Sequence, residues 1–157
     1  MGVETSQALI EAVAERVKRA EVFEDVRCEP GALRCQARDV ESEANYQVLV
    51  EPDGSIWIGL YTPDRWLSES IEADLLHQGD NMEDLLDEEL VELGYEGERP
   101  VIEHFRDDAK QYVFRSPLPI SGSPTDPSTI DRAVKLLLGY EACFRQLGDM
   151  SPSDEPV

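Results

Sequence analysis

Apolar residues change their spacing several times along the chain, and each change marks an element. From Thr5 to Ala20 they recur at helical intervals, with Leu9, Ile10, Val13 and Val17 on one stripe, so a first amphipathic helix is expected there. Thr5 or Ser6 is available as its N-cap. The period then falls to two. ALRCQARD sets Leu33, Cys35 and Ala37 against Arg34, Gln36 and Arg38; NYQVLVE sets Tyr46, Val48 and Val50 against Gln47, Leu49 and Glu51. Between this run and SIWIGLYT stands Pro52-Asp53-Gly54, with proline first and glycine where φ must be positive. That is the chemistry of a three-residue hairpin with a bulge. Upstream, EVFEDVRC reads as a short edge strand or as irregular chain, its acids weighing against the strand.

TPDRW opens the next helix, with Thr62 or Asp64 as cap and Pro63 in the first turn. A break near QGDN separates it from a second helix that ends at Gly94. PVIEHFR and AKQYVFRS follow as strands joined by a tight turn at Asp107 and Asp108, and Pro117 and Pro119 stop the second. A three-residue loop there pairs His104 with Tyr112 and Ile102 with Phe114. The loop SGSPTDP leads to a last helix from Pro127 to Leu147, whose stripe reads Ile130, Val134, Leu137, Leu138, Phe144 and Leu147, with Gly148 just past its end. These elements describe one α+β domain over residues 1–148: a curved antiparallel sheet of five to six strands with three to four helices packed on one face. The tail, 149–157, is expected to be disordered.

The register of the first hairpin decides what the sheet shows to solvent. The turn pairs Val50 with Ile56, Val48 with Ile58 and Tyr46 with Leu60, which makes one apolar face for the helices to cover. The reverse face then carries Leu49 opposite Trp57, with Gly59 and Tyr61 further along. Alternation adds Arg34 and Arg38 on one side, and Phe105, Val113 and Arg115 from the later hairpin. Tryptophan, tyrosine and arginine are the residues that dominate protein interfaces, so these eight, Gly59 apart, form the candidate partner-binding set.

Charge changes the picture next. The chain of 157 residues carries 34 acids and 14 basic residues, a formal net charge of −20. Such a surface repels nucleic acid and anionic lipid. Residues 71–98, IEADLLHQGDNMEDLLDEELVELGYEGE, hold eleven of the acids and no Lys or Arg. Ile71 and Leu75 form one apolar stripe there and Met82, Leu85, Leu86, Leu90 and Leu93 the next. Asp84, Asp87, Glu88 and Glu92 fall mainly on the opposite sides, where a half-buried helix places its solvated residues. A calcium loop needs acids at alternating positions, and DNMEDL fails at Met82 and Leu85. No metal site and no cofactor is therefore expected.

Catalytic chemistry finds little to work with. Two separated histidines, His77 and His104, offer no base beside a serine or cysteine nucleophile, and His104 faces the core side of its strand. Cys28 and Cys35 flank the EPGA turn without the CxxC spacing of redox or zinc motifs, and packing suits them better. SGSP lacks the length and lysine of a phosphate loop. Among 34 acids chance pairs are certain, which leaves an enzyme working through unidentified carboxylates as a rival reading. The opening MGVETS fits the myristoylation pattern through Gly2 and Ser6, but one acyl chain anchors weakly and no basic cluster supports it. With no apolar span and no secretory leader, a cytoplasmic protein with reduced thiols and no membrane contact is expected.

The hairpin YQVLVEPDGSIWIGLYT, the acidic helical middle, the strand QYVFRSPLP and the closing helix IDRAVKLLLGYEACFRQL follow one another in an order that resembles class I type III secretion chaperones. The order is also similar to that of YbjN-like bacterial proteins. The resemblance covers Thr5 to Leu147. It implies a non-enzymatic homodimer that holds a segment of a partner protein, one with basic or apolar character; a YbjN-like regulatory or stress-response role is the alternative. The possible extra early strand and the paired middle helices depart from the chaperone pattern, and no binding motif is carried over.

Overall fold

The computed structural model describes residues 3–38, 40, 43–78, 81–97, 99–118, 125–147 and 150, without the side chains of residues 3–6, 77 and 78. Helix α1, Val3–Ala20, buries Leu9, Ile10, Val13, Ala14 and Val17, the expected stripe with one residue added. The helix starts earlier than expected, so Thr5 and Ser6 lie inside it and do not cap it. Glu21, at φ 55°, turns the chain into β1, Phe23–Glu29. This is a true edge strand: Glu24, Asp25, Arg27 and Cys28 look outward, which reconciles its acids with strand structure.

Strands β2 (Ala32–Ala37), β3 (Asn45–Val50) and β4 (Ile56–Thr62) continue the meander. The β3–β4 register is the expected one, Val50 to Ile56, Val48 to Ile58, Tyr46 to Leu60 and Leu49 to Trp57. Its turn is closed by the Glu51 N–H to Ser55 carbonyl bond (2.8 Å), with Gly54 at φ 92°. Asp53 accepts from the Ser55 N–H and hydroxyl, and these hydrogen bonds hold its carboxyl below the usual range.

Helix α2, Arg65–Gln78, is capped by Asp64, whose Oδ1 accepts the N–H groups of Trp66 and Leu67. Pro63 therefore precedes the cap and is not in the first turn. Helix α3, Met82–Leu93, has Asn81 as N-cap and the left-handed Gly94 (φ 77°) as its stop, as expected. Strands β5 (Glu103–Arg106) and β6 (Tyr112–Pro117) complete the sheet in the order β1-β2-β3-β4-β6-β5, antiparallel throughout. Their register differs from expectation: His104 pairs with Phe114 and Arg106 with Tyr112. Lys110 takes φ 64° and belongs to the loop, and Asp107 closes it through the Gln111 N–H. The offset is even, so each side chain keeps its expected face.

Helix α4, Pro127–Phe144, lies between α1 and α3 and over β3 and β4. That central position explains why a single stripe underestimates its burial. Leu136 and Tyr140 are sealed along with Val134, Leu137 and Phe144, whereas Ile130 and Leu138 are only half-buried. Tyr140 gives its hydroxyl a partner at Ser116 (2.6 Å) and stacks on Phe144, which meets Phe114 in turn. Burial pushes the Tyr140 phenol well above its ordinary value, with the Ser116 bond partly offsetting it. The helix ends at Phe144, three residues short of the expected Leu147, although Leu147 and Met150 are both buried. The four described helices share one side of the sheet. The expectations for Gly2, the break at 79–80, the loop 119–124, Gly148 and the rest of the tail lie outside the described residues, as does the His77 side chain.

Candidate binding face

The core cluster takes Leu33, Cys35, Tyr46, Val48, Ile56, Ile58, Leu60 and Phe114 from the sheet, all of one parity. Leu49, Trp57, Tyr61, Phe105 and Val113 are absent from it; they belong to the opposite face, over which no described helix packs. Alternation thus places apolar and aromatic side chains on both faces, and the described helices cover one of them.

At the centre of the open face is Arg115. It pairs in register with Gly59 on one side and Glu103 on the other. A side chain at Gly59 would collide with the Phe114 carbonyl and would stand 2.7 Å from the Arg115 Cβ, so the missing side chain is what lets β6 close on β4. From there the guanidinium reaches over the Trp57 ring, 3.8 Å from its centroid, and lies 4.9 Å from that of Phe105. Glu103 (3.3 Å) and Glu51 (3.7 Å) neutralise it. An arginine held between two rings with its charge balanced is stiff and partly desolvated, which lowers the entropy lost when a partner settles on it.

The other expected residues fall into three groups. Leu49, directly opposite half-buried Trp57, extends the platform toward the β3–β4 turn. Tyr61 (4% exposed) and Val113 (0%) are in the same face but sunk into it, Val113 lying in register between Tyr61 and Phe105. Burial raises the Tyr61 phenol to about 12 against the opposing pull of Arg115. Arg34 shares the row of Arg115 but is three strands away, between Arg27 and Gln47 and 3.5 Å from Glu29. Arg38 is elsewhere. It donates to the Glu21 and Phe23 carbonyls (2.8 and 2.9 Å) and ties the α1–β1 corner, beside an open groove of about 640 Å³.

Charge divides the surface unevenly. On the open face Arg27, Arg34 and Arg115 stand against Asp25, Glu29, Glu51 and Glu103. Helices α2 and α3 carry three and six acids with Arg65 as the one basic residue. Among the described residues no group of three His, Cys, Asp or Glu side chains is placed to hold a metal ion. The cysteines are unbridged, and burial raises the thiols of Cys35 and Cys143 to about 12, far from nucleophilic. His104 stacks on Phe114 (3.8 Å), with Nδ1 donating to the Val113 carbonyl and Nε2 2.6 Å from Glu72, a link from β5 to α2.

Sequence reasoning put Gly59 on this face without seeing its role, and missed Glu51 and Glu103 as parts of the platform. A glycine inside a strand, between Trp57 and Tyr61, was the available signal for close backbone approach. Among the described residues no helix is long and apolar enough to cross a membrane. No protein-family model matches the chain, and no curated protein or solved structure compared with it is detectably similar.

Proposed function

We propose that this protein is a non-enzymatic binding module of chaperone-like type, which holds a segment of a partner protein against the open face of its sheet without a cofactor. The observation that supports the reading is the Trp57–Arg115–Phe105 stack, set beside Leu49 on a face that no described helix covers. A sheet face that no described helix covers and that keeps Leu49, Trp57 and Phe105 half-buried offers apolar and aromatic area to a partner. Its composition is that of interface centres. The balance of arginines and acids suits an apolar or aromatic segment, and the acidic helices favour basic character in the partner while repelling nucleic acid. The same reading has the protein act in the cytoplasm as a homodimer.

The test is affinity capture from the native cell by the wild type and by Trp57→Ala, at moderate and at about 1 M salt, where the screening length is about 3 Å. A partner that resists salt and is lost with Trp57→Ala is the expected result. A folded Trp57→Ala protein that keeps every partner and its oligomeric state overturns the reading. Light scattering that reports a strict monomer removes the homodimer.

A further inference from the structure

The helical side of the molecule presents a second surface with different chemistry. The large hydrophobic side chains that stand exposed among the described residues are Trp66 (77%), Leu76 (84%), Val91 (70%) and Val101 (61%). All lie between the start of α2 and the start of β5. Within α2, helical spacing puts Trp66, Glu69, Ala73 and Leu76 on one stripe, opposite Leu67 and Ile71, which are sealed in the core. A helix that only shields a core would spend these outward positions on polar residues. Here the outward stripe keeps three apolar members around Glu69, and Glu72 lines its edge. Glu69 is tied to Arg65 (3.0 Å) and Glu72 to His104 (2.6 Å). Beyond them α3 exposes Asp84, Glu88 and Glu92.

We propose that the outward stripe of α2 docks a basic amphipathic helix of another protein. Trp66 to Leu76 spans about 15 Å, three turns at 1.5 Å per residue, which matches the apolar seam of a helix about 12–14 residues long. Lysines and arginines flanking such a seam would meet the acids of α2 and α3, and complementary charge would steer the approach. A second copy of this chain is a poor occupant, because it brings the same acids, and a net charge of −20, onto themselves. The inference stands apart from the sheet-face reading, since α2 lies on the other side of the sheet.

Synthetic peptides of about 14 residues test it, one of Leu and Lys with Leu at helical spacing, one with Glu for Lys, and one of the first composition in alternating order. Binding is read by anisotropy of a label on the peptide and by tryptophan emission. The helical Leu–Lys peptide is expected to bind with a blue shift of Trp66, and the Glu peptide not at all. Alternating order, the double change Trp66→Ser with Leu76→Ser, and Ala73→Arg are each expected to lower affinity at least about tenfold, while Trp57→Ala leaves it unchanged. These α2 positions are solvent-facing, and circular dichroism confirms that the variants keep their fold. Undiminished binding by the double variant, which would mean charge attraction alone, overturns the proposal. So does loss of binding in Trp57→Ala, or a wild-type dimer that the double variant dissolves.

Discussion

Trp57 and Trp66 belong to successive elements, β4 and α2, yet they sit in opposite physical settings. Trp57 is half-buried under a guanidinium on a face where arginines and acids balance. Trp66 stands 77% exposed on a helix pair whose charges are nearly all acidic. The difference teaches that exposure and readiness to bind are separate properties. Trp57 is rigid and its charged neighbour is already compensated, so contact there depends on shape and apolar area. Trp66 is free, and contact there depends on an opposite charge being brought to it. Salt therefore separates the two: it should leave the first interaction standing and weaken the second.

The largest expected effect comes from closing the space that holds the platform together. Gly59→Ala drives a methyl into the β4–β6 seam and should cost about 3 kcal/mol. Thermal unfolding should then fall by roughly 6–12 °C for a chain of this size. Trp57 emission should change as Arg115 is displaced, and Trp66 emission should not; equal change at both would erase the distinction. Next is Trp57→Ala, which removes a half-buried ring and its cation–π contact for about 2 kcal/mol, measured by urea unfolding.

A smaller effect separates acids that face water from one that does not. Glu141 on α4 is buried (8% exposed), and burial raises its carboxyl, with Arg145 pulling down and Glu89 adding to the rise. A raised acid binds its proton more tightly folded than unfolded. Its charge therefore begins to weaken the fold as pH climbs past 4.5, and the loss is complete above the folded value. Glu141→Gln should thus be stabilising by about 1 kcal/mol at pH 7, with the gap closing toward pH 4. Asp131 behaves oppositely. Burial pushes it up, but hydrogen bonds and charge from Lys135 and Arg16 hold it below 3.8, so its contribution is present above that value and lost as pH falls through the lowered one. Unfolding curves across pH 3–8 check both signs. Smallest is the stability cost of Trp66→Ser, within about 0.5 kcal/mol, because almost nothing packs on that ring.

Much of this architecture was legible in the residues because two strong local rules agreed. The Pro52-Asp53-Gly54 turn fixed the register of β3 and β4, and strict alternation then separated Ile56, Ile58 and Leu60 from Trp57 and Tyr61. Where one rule stood alone the reading slipped. The β5–β6 loop has no Gly or Pro to announce its left-handed residue, and Lys110 fills that place. The Thr5 and Ser6 caps failed because an α-helix can begin earlier without a visible stop signal. On α4 the apolar stripe was read as one-sided, but flanking by α1 and α3 buries Leu136 and Tyr140 as well. The site was only half legible. Parity named its aromatic members, but the centring of Arg115 over Trp57 depends on the space above Gly59, a tertiary fact. Arg38 was counted in the set because alternation says nothing of how far a long side chain bends, and this one bends back to Glu21 and Phe23.

Retention of a native partner at about 1 M salt, compared between wild type and a Trp57→Ala protein that circular dichroism shows to be folded, puts the sheet-face account to its most direct trial. The account predicts a partner that stays on the wild type through the salt wash and is missing from the variant. A variant that keeps the same partner through the same wash would show that the platform around Arg115 is not where binding happens.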